Sequence, residues 1–346
     1  MRSTEDTAPP RTGAGPAQSK HDMRRRHFLA ALGGAAVSRA GAALAHKPLP
    51  RVGFLADGAA ASINSAYQIR TIKQGLADSG LIDGRDYLLE PRFASGNDAR
   101  LAEALRDLVR IGVGAILAES SASVRAAQRL APPVPVVMIG VDDPVGNSLI
   151  ASLAAPGSHT TGIAMTNAAL SSRMLQLQRS LLPGGAATAI LYDPANPGFL
   201  HELRSRADTL GISVAPIAFH SRDDLETAFA MFARKPPDAV QIMLDAETSD
   251  FMDRIPALAL MHRLPAFANA PEFASFGGLI GFGPSRKQIY LRAGRFVKEI
   301  LDGANPAGLP VEQPPRTELW INRNTARTLE LSVPASLIAS ADKIVG

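Results

Sequence analysis

Short apolar runs alternate along this chain with longer segments in which apolar residues recur every three or four positions. Arg51–Leu55 is one such run, and Asp57-Gly58 follows it, which predicts a buried strand that ends in a turn. Leu101, Leu105 and Leu108 fall on one face of a segment that is predicted to be helical. Apolar strands that alternate with amphipathic helices indicate a parallel sheet covered by helices on both faces.

The alternation begins again after a break at Pro156-Gly157-Ser158, so the chain is predicted to form two α/β lobes, each with a doubly wound parallel sheet. We expect the first lobe to comprise residues 46–155 and 284–310, and the second to comprise residues 156–283 and 311–346. Strands are predicted at 51–55, 87–90, 113–118, 136–140, 161–164, 187–192, 212–218, 239–244, 265–268 and 279–283. Helices are predicted at 64–79, 98–111, 121–130, 167–182, 198–210, 221–234, 248–262 and 285–302. The segments that join the lobes are expected near 145–162, 283–286 and 308–318.

Residues 1–45 show the order of regions found in an export signal. Arg24-Arg25-Arg26 precede an uncharged run from Phe28 to Val37, and Ala43-Leu44-Ala45 matches a small-residue cleavage site. The paired Arg residues and the weakly apolar core favour the twin-arginine route over the general secretory route. We expect cleavage after Ala45 and a soluble periplasmic product. The sequence leaves open whether translation starts at Met1 or at Met23.

The positive charge of the chain comes from this N-terminal segment. The 346 residues have a formal net charge of +4, and residues 1–45 carry seven of the 36 Lys and Arg but only three of the 32 Asp and Glu. The remainder has 29 of each sign, so it offers no basic footprint for nucleic acid. The chain has no Cys, which excludes disulfides, Cys-ligated metals, thiol catalysis and a lipidated N-terminal Cys.

The common catalytic and cofactor motifs are missing from the sequence. It contains no G-x-x-x-x-G-K-[ST], no G-x-S-x-G and no H-E-x-x-H. Gly281-Phe282-Gly283-Pro284 resembles the start of a dinucleotide-binding loop but lacks the third glycine. The His residues outside the N-terminal segment show no metal-ligand spacing. The pattern therefore favours a binding protein without cofactor or metal over an enzyme.

A set of short motifs extends over residues 50–345 and is densest in the C-terminal third. The motifs are Asp143–Gly146, Ser152–Ala154, Tyr192–Pro197, Arg263–Ala266, Glu272-Phe273, Gly277–Leu279, Gly281–Pro284, Leu309–Pro314, Glu318–Asn322, Thr325-Ala326 and Val333–Leu337. They resemble those of a family of ABC-transporter solute-binding proteins that includes tryptophan- and tyrosine-binding members. Two positions depart from the family: Glu330 stands where members commonly carry Gly, and Ser158-His159 occupies a loop where they carry Asn.

The resemblance implies a type I periplasmic-binding fold, whose two lobes are joined by three segments and close on a small solute. It also implies an exported receptor that delivers this solute to an ABC permease in the membrane. We expect the receptor to be a monomer and, because the chain has no Cys, to carry no lipid anchor. The best single expectation for the solute is an aromatic or branched amino acid. Two alternatives remain open: a ligand-sensing subunit of a membrane receptor or kinase, and an exported α/β enzyme.

Ligands of open α/β sheets bind beyond the carboxyl ends of the strands, so polar residues at those ends are the candidate ligand-binding residues. Ser120 and Ser121 precede a predicted helix, whose free N–H groups favour a carboxylate. Asp193 and Asp245 could pair with an ammonium group, and Tyr192 could stack on an apolar group. The full candidate set is Asp57, Gly58, Ser62, Ser120, Ser121, Asp142, Tyr192, Asp193, Asn196, Asp245, Asn269 and Glu272.

Overall fold

Two β-sheets, each packed between layers of helices, make up the described part of the chain. The computed structural model describes residues 48–60, 62–182, 184, 187–194, 197–245 and 248–346. The predicted export signal at residues 1–45 lies outside them. All of the elements belong to a single unit, Leu49–Gly346. No helix of the described residues is long and apolar enough to cross a membrane.

The order of elements follows the predicted alternation of strands and helices. In chain order they are β1 (Arg51–Ala56), α1 (Ile63–Asp78), β2 (Leu88–Phe93), α2 (Asp98–Arg110), β3 (Val113–Ala118), α3 (Ser121–Gln128), β4 (Val136–Asp142), β5 (Thr160–Met165), α4 (Asn167–Leu181), β6 (Ala187–Tyr192), α5 (Leu200–Leu210), β7 (Ser213–Ala218), α6 (Arg222–Arg234), β8 (Ala239–Met243), α7 (Arg254–Met261), β9 (Ala266–Ala268), β10 (Ile280–Gly283), α8 (Arg286–Leu301), β11 (Glu318–Asn322), α9 (Arg323–Thr328), α10 (Ala335–Ala339) and β12 (Lys343–Val345). Single 3₁₀ turns span Thr248–Phe251, Pro271–Phe276 and Pro306–Gly308.

The first lobe contains the sheet β2-β1-β3-β4-β5, in which every strand pairing is parallel. Helices α1 and α8 cover one face of it, and α2 and α3 cover the other. Alternate strand residues enter the two apolar layers, so that Phe54 packs under α1 and α8 while Leu55 packs under α2. The strands read as nearly continuous apolar runs because both faces of this sheet are buried.

The second lobe contains the sheet β12-β11-β10-β9-β8-β6-β7. Helices α4, α5, α9 and α10 pack on one face, and α6, α7 and the turn Pro271–Phe276 pack on the other. The expected fold of two doubly wound α/β lobes is confirmed. Two strands depart from the parallel arrangement: β11 pairs antiparallel with β10, and β12 pairs parallel with β11, so both run opposite to the other five strands. Neither β11 nor β12 was predicted from the sequence.

Helix α2 shows how the sequence fixes a local element. The side chain of Asn97 accepts a hydrogen bond of 3.0 Å from the backbone N–H of Arg100, which caps the helix. Leu101, Leu105 and Leu108 are buried on the face that was predicted from their spacing. A cap at the start and a single apolar stripe are sufficient to place this helix on the sheet.

Helices α1 and α8 approach each other closely through two glycines. A Cβ atom on Gly294 would lie 2.3 Å from the backbone of Gly75, and one on Gly75 would lie 2.4 Å from the carbonyl oxygen of Leu291. Neither distance is compatible with a side chain. The pair therefore sets how tightly α8, which reaches the first lobe from the second, packs onto it.

One predicted boundary between the lobes is wrong for strand β5. Thr161 lies opposite Val137 in a parallel pairing of β5 with β4, so Thr160–Met165 belongs to the first sheet. The sequence analysis placed residues 156–283 in the second lobe. An apolar segment of this length fits the edge of either sheet, and its residue pattern does not decide which edge it joins.

The segment after Gly308 also stays in the first lobe longer than predicted, although residues 311–346 were assigned to the second. Val311 is buried in the core of the first lobe, and the N–H of Glu312 donates to the carbonyl of Gly162 at 2.9 Å. The chain therefore crosses between the lobes after Met165, after Gly283 and between Glu312 and Glu318.

Candidate functional site

A cavity of about 240 Å³ lies between the two lobes. Its lining comes from the ends of β3, β4 and β5 in the first lobe, from the residues after β6, β8 and β9 in the second, and from the start of α8. Every contributing strand presents its carboxyl end, as expected for open α/β sheets. Six of the twelve predicted residues line this cavity: Ser120, Ser121, Asp142, Asp193, Asp245 and Asn269.

The first-lobe side of the cavity is the amino end of helix α3. Ser120 is the N-cap, and its Oγ accepts a hydrogen bond of 3.0 Å from the backbone N–H of Ser123. Ser121 begins the helix, and its Oγ is buried without a hydrogen-bond partner among the residues that the structure describes. The first N–H groups of a helix have no partner within the helix, and the helix dipole is positive at this end. This end of the cavity can therefore hold an anionic group.

Carboxylates from the second lobe face this helix end across the cavity. Asp193 is 3% exposed, and its Oδ1 lies 3.3 Å from Nδ1 of His220. Asp245 accepts hydrogen bonds at Oδ1 from the N–H of Thr248 at 2.9 Å and from its hydroxyl at 2.8 Å. Asp245 therefore caps the turn Thr248–Phe251 in addition to lining the cavity.

The amide side chains of Asn167 and Asn269 line the cavity and hydrogen bond to each other. Asn269 accepts at Oδ1 from the N–H of Leu244 at 2.7 Å and donates from Nδ2 to Oδ1 of Asn167 at 3.2 Å. The N–H of Asn167 donates to Oδ1 of Asp142 at 2.7 Å. Burial raises the pKa of Asp142 to about 6, an effect that this hydrogen bond only partly offsets.

Five of the predicted residues that the structure describes lie outside the cavity lining, and three of these five contact a neighbouring residue instead. Ser62 accepts from the N–H of Ser65 at 2.9 Å as the cap of α1. Tyr192 packs edge-to-face on Phe199, with ring centroids 6.0 Å apart. Glu272 accepts a hydrogen bond of 2.9 Å from the hydroxyl of Ser285.

Asp57 and Gly58 form the turn after β1, on the side of the first lobe that faces the turn Thr248–Phe251. Asp57 is buried, accepts from the hydroxyl of Ser123 at 2.6 Å, and has a pKa raised by burial. A Cβ on Gly58 would come within 3.1 Å of Oδ2 of Asp250. The twelfth candidate, Asn196, lies outside the described residues. Ligand contact by these six residues stays a prediction.

The sequence analysis missed a buried polar network beside the cavity. Oε1 of Glu119 accepts hydrogen bonds from Nε2 of Gln68 at 2.8 Å and from the hydroxyl of Tyr290. Arg286 donates to the same hydroxyl at 3.2 Å and also to Oγ of Ser249, and so links the first lobe to the second. Burial raises the pKa of Glu119 to about 8.

A signal for part of this network was present in the sequence. Glu119 ends an apolar strand and directly precedes Ser120-Ser121, so the rule that selected the two serines also applies to it. Arg286 and Tyr290 carried no such signal, because only the packing of α8 on the first lobe turns them towards Glu119. Among the described residues, no group of three or more His, Asp and Glu is placed to hold a metal ion.

Comparison with known proteins identifies what the chain resembles. A family model described as ABC transporter substrate binding protein matches residues 61–345. The chain is 23% identical over 262 residues to a tyrosine-binding protein of Clostridioides difficile (strain R20291), and the match covers 75% of each protein.

Two solved structures share the fold at low sequence identity. A conserved domain protein from Vibrio cholerae superposes with a TM-score of 0.77 at 21% identity, covering 85% of this chain and 99% of that one. An ABC domain in complex with L-Trp from Streptococcus pneumonia superposes with a TM-score of 0.76 at 22% identity, covering 86% and 100%. The two-lobed arrangement is therefore that of the type I periplasmic binding proteins.

Proposed function

The chain belongs to the family of ABC transporter substrate-binding proteins, and we propose that it is the exported receptor of an importer that captures a free amino acid between its lobes. Proteins of this family bind small solutes and work with ABC permeases, and they are not enzymes. That property agrees with a sequence in which no catalytic motif was found.

The observation that carries the amino-acid proposal is the distribution of charge around the cavity. The amino end of α3 with the hydroxyl of Ser121 suits a carboxylate, and several carboxyl groups line the remainder of the cavity. An α-amino acid carries one group of each sign. A ligand that contacts both lobes also favours the closed arrangement, because it binds that state better than the open one.

The lining of the cavity supports an apolar side chain on this amino acid. Ile139, Met165, Leu244 and Ile289 supply apolar surface to the cavity. The names of the relatives, one tyrosine-binding and one solved with L-Trp, point to an aromatic amino acid.

The proposal includes export by the twin-arginine route and a soluble, monomeric periplasmic product without a lipid anchor. Its support is the sequence of residues 1–45, with Arg25 and Arg26 ahead of a weakly apolar run and Ala43-Leu44-Ala45 behind it.

A thermal-shift screen of the purified protein against amino acids, nucleosides, sugars and short peptides tests the ligand class. A ligand stabilises the protein by RT ln(1 + [L]/Kd), which is about 2.7 kcal/mol at a 100-fold excess over Kd. We expect L-tyrosine, L-tryptophan or a branched amino acid to raise the melting temperature the most. Stabilisation by sugars or nucleosides alone would contradict the amino-acid proposal while leaving the receptor function intact.

A further inference from the structure

Glu119 presents an unpaired carboxylate oxygen at the cavity between the lobes. The residue directly follows β3, lines the cavity and is only 5% exposed. Gln68 and Tyr290 both donate to its Oε1, whereas its Oε2 is buried and has no hydrogen-bond partner in the described part of the chain. A buried polar atom without a partner is costly, and more so when it is charged. A group that supplies a hydrogen-bond donor to Oε2 would remove this cost.

The charges around Glu119 favour a cation at this position. Asp57 at the end of β1 and Asp250 in the turn Thr248–Phe251 add negative charge, and Arg286 of α8 supplies positive charge. The other polar groups that contact Glu119 are the amide of Gln68 in α1 and the hydroxyl of Tyr290 in α8. The guanidinium of Arg286 hydrogen bonds to Tyr290, to Ser249 and to the carbonyl of Asp245.

Burial, together with the charges of Asp57 and Asp250, outweighs the hydrogen bond from Tyr290 and the charge of Arg286, so the pKa of Glu119 rises to about 8. The carboxyl group is therefore mainly protonated at pH 7. Because Oε1 already accepts two hydrogen bonds, the proton belongs on Oε2. A positively charged group that entered the cavity would replace this proton.

The carboxyl group of Glu119 and the hydroxyl of Ser121 are close neighbours in the chain, as recognition of the head group of an α-amino acid requires. The carboxylate and the ammonium of such a ligand are joined through one carbon atom, so the protein groups that bind them must also be neighbours. Glu119 and Ser121 are two residues apart where β3 leads into α3, and each carries a buried polar atom that has no partner among the described residues. Asp193 and Asp245 lie in the facing lobe, where His220 and Thr248 already contact their carboxylates.

On the basis of the proposed function, we propose that Glu119 is the counter-charge for the α-ammonium group of the bound amino acid, and that its proton passes to solvent as the ammonium binds. The neighbouring amino end of α3 then holds the carboxylate of the same ligand. Asp193 and Asp245 face the ligand from the second lobe without carrying the ammonium.

Isothermal titration calorimetry at pH 7, in two buffers of different ionisation enthalpy, measures both affinity and proton release. The probes are L-tryptophan with indole-3-propionate, L-tyrosine with 3-(4-hydroxyphenyl)propionate, and L-leucine with 4-methylpentanoate. The second member of each pair keeps the carboxylate and the side chain but lacks the ammonium. The proteins are the wild type, Glu119→Gln, and Glu103→Gln, which removes a carboxylate from an exposed position of α2.

The wild type and Glu103→Gln are expected to release about one proton for each amino acid bound and none for the desamino partner. Glu119→Gln should bind the amino acid at least about tenfold more weakly, because a charge-assisted hydrogen bond is lost, and it should release no proton. Its affinity for the desamino partner should stay at the wild-type value, because a neutral amide resembles the protonated carboxyl group.

Three results would overturn the assignment: amino-acid binding by the wild type without proton release, unchanged amino-acid affinity in Glu119→Gln, or an equal loss of affinity for both members of a pair. If Glu119→Gln does not fold, the proton release of the wild type and its preference within each pair decide the question. Binding of amino acids without these signatures refutes the role of Glu119 alone. Failure of all three amino acids to bind refutes the amino-acid proposal and this inference together.

Discussion

The carboxyl group of Asp142 in the first lobe accepts a hydrogen bond of 2.7 Å from the backbone N–H of Asn167, the first residue of α4 in the second lobe. Thr166, which occupies the N-cap position of α4, makes no capping hydrogen bond with its own side chain. Asp142 therefore caps a helix of the other lobe, at the point where the chain first crosses between them. The protonation state of Asp142 therefore bears on a hydrogen bond at the first crossing between the lobes.

Asp142→Asn is expected to stabilise the ligand-free protein at neutral pH. The pKa of Asp142 is raised to about 6 by burial, so its ionised form is disfavoured in the folded state, and stability falls as pH rises from about 4 to 6. An amide at this position still accepts from the N–H of Asn167 but carries no charge. In equilibrium urea unfolding, the free energy of unfolding of the variant should exceed that of the wild type by about 1–3 kcal/mol at pH 7. At pH 4 the two values should be equal. A constant difference across this range would contradict the assignment.

Ser121→Ala should separate ligand binding from stability. No described residue hydrogen bonds to the buried hydroxyl of Ser121, so its removal should leave the melting temperature of the ligand-free protein nearly unchanged. Loss of a hydrogen bond to a ligand carboxylate should weaken amino-acid binding at least about tenfold. Ser120→Ala is the matched variant: it removes the cap of α3 and should cost about 1 kcal/mol of stability. Unchanged affinity in Ser121→Ala would exclude its hydroxyl from the site.

Gly294→Ala is expected to destabilise the first lobe. A Cβ atom there would come within 2.3 Å of the backbone of Gly75, so α1 and α8 would have to move apart. Overpacking of this kind costs about 1–3 kcal/mol, which denaturant unfolding measures directly. Gly308→Ala serves as the control, because no atom lies within 4 Å of a Cβ at that position. Equal stability of the two variants would show that the helices are not held by this contact.

Glu330→Gly is expected to stabilise the protein. Glu330 follows α9 in a left-handed conformation with a φ of 58°, which glycine adopts without steric cost. The gain is about 1 kcal/mol or less, because the substitution also removes an exposed ion pair with Arg263, at 2.8 Å. Glu330→Ala removes the same ion pair and keeps a Cβ, so thermal unfolding should rank it below Glu330→Gly. The opposite order would mean that relief of the left-handed conformation is smaller than the entropy that glycine adds to the unfolded chain.

Replacement of Arg25 and Arg26 by Lys tests the predicted export route. The twin-arginine route requires the arginine pair itself, so the precursor of the double variant should accumulate inside the cell. Immunoblots of cytoplasmic and periplasmic fractions, with N-terminal sequencing of the exported form, report both the route and the cleavage site after Ala45. Normal export of the variant would instead indicate the general secretory route.

Half of the predicted site residues line the cavity because they follow the carboxyl ends of strands, and the cavity lies at those ends. Polar residues at the carboxyl ends of parallel strands converge on one edge of a sheet, and Ser120, Ser121 and Asp193 are of this kind. The same rule also selected Tyr192, which the strand pleat turns onto Phe199 instead. Position at a strand end therefore identifies candidates but does not give the direction of each side chain.

The resemblance to a family anticipated one backbone feature without giving its cause. Members commonly carry Gly where Glu330 stands, and the structure places this residue at a left-handed helix end. Such a conformation is set by the chain reversal after α9, which the pattern of apolar residues does not encode.

The sequence by itself determined the alternation of strands and helices, the two α/β lobes, the neutral body with its basic N-terminal segment, and the strand ends at which ligand-binding residues were sought. These properties depend on periodicity and composition, which are local along the chain. Only the tertiary structure decided that Thr160–Met165 joins the first sheet, and that α8 returns to the first lobe with Arg286 and Tyr290 beside Glu119. The burial that raises the pKa of Glu119 comes from elements distant in sequence, and no local pattern specifies which of them will meet.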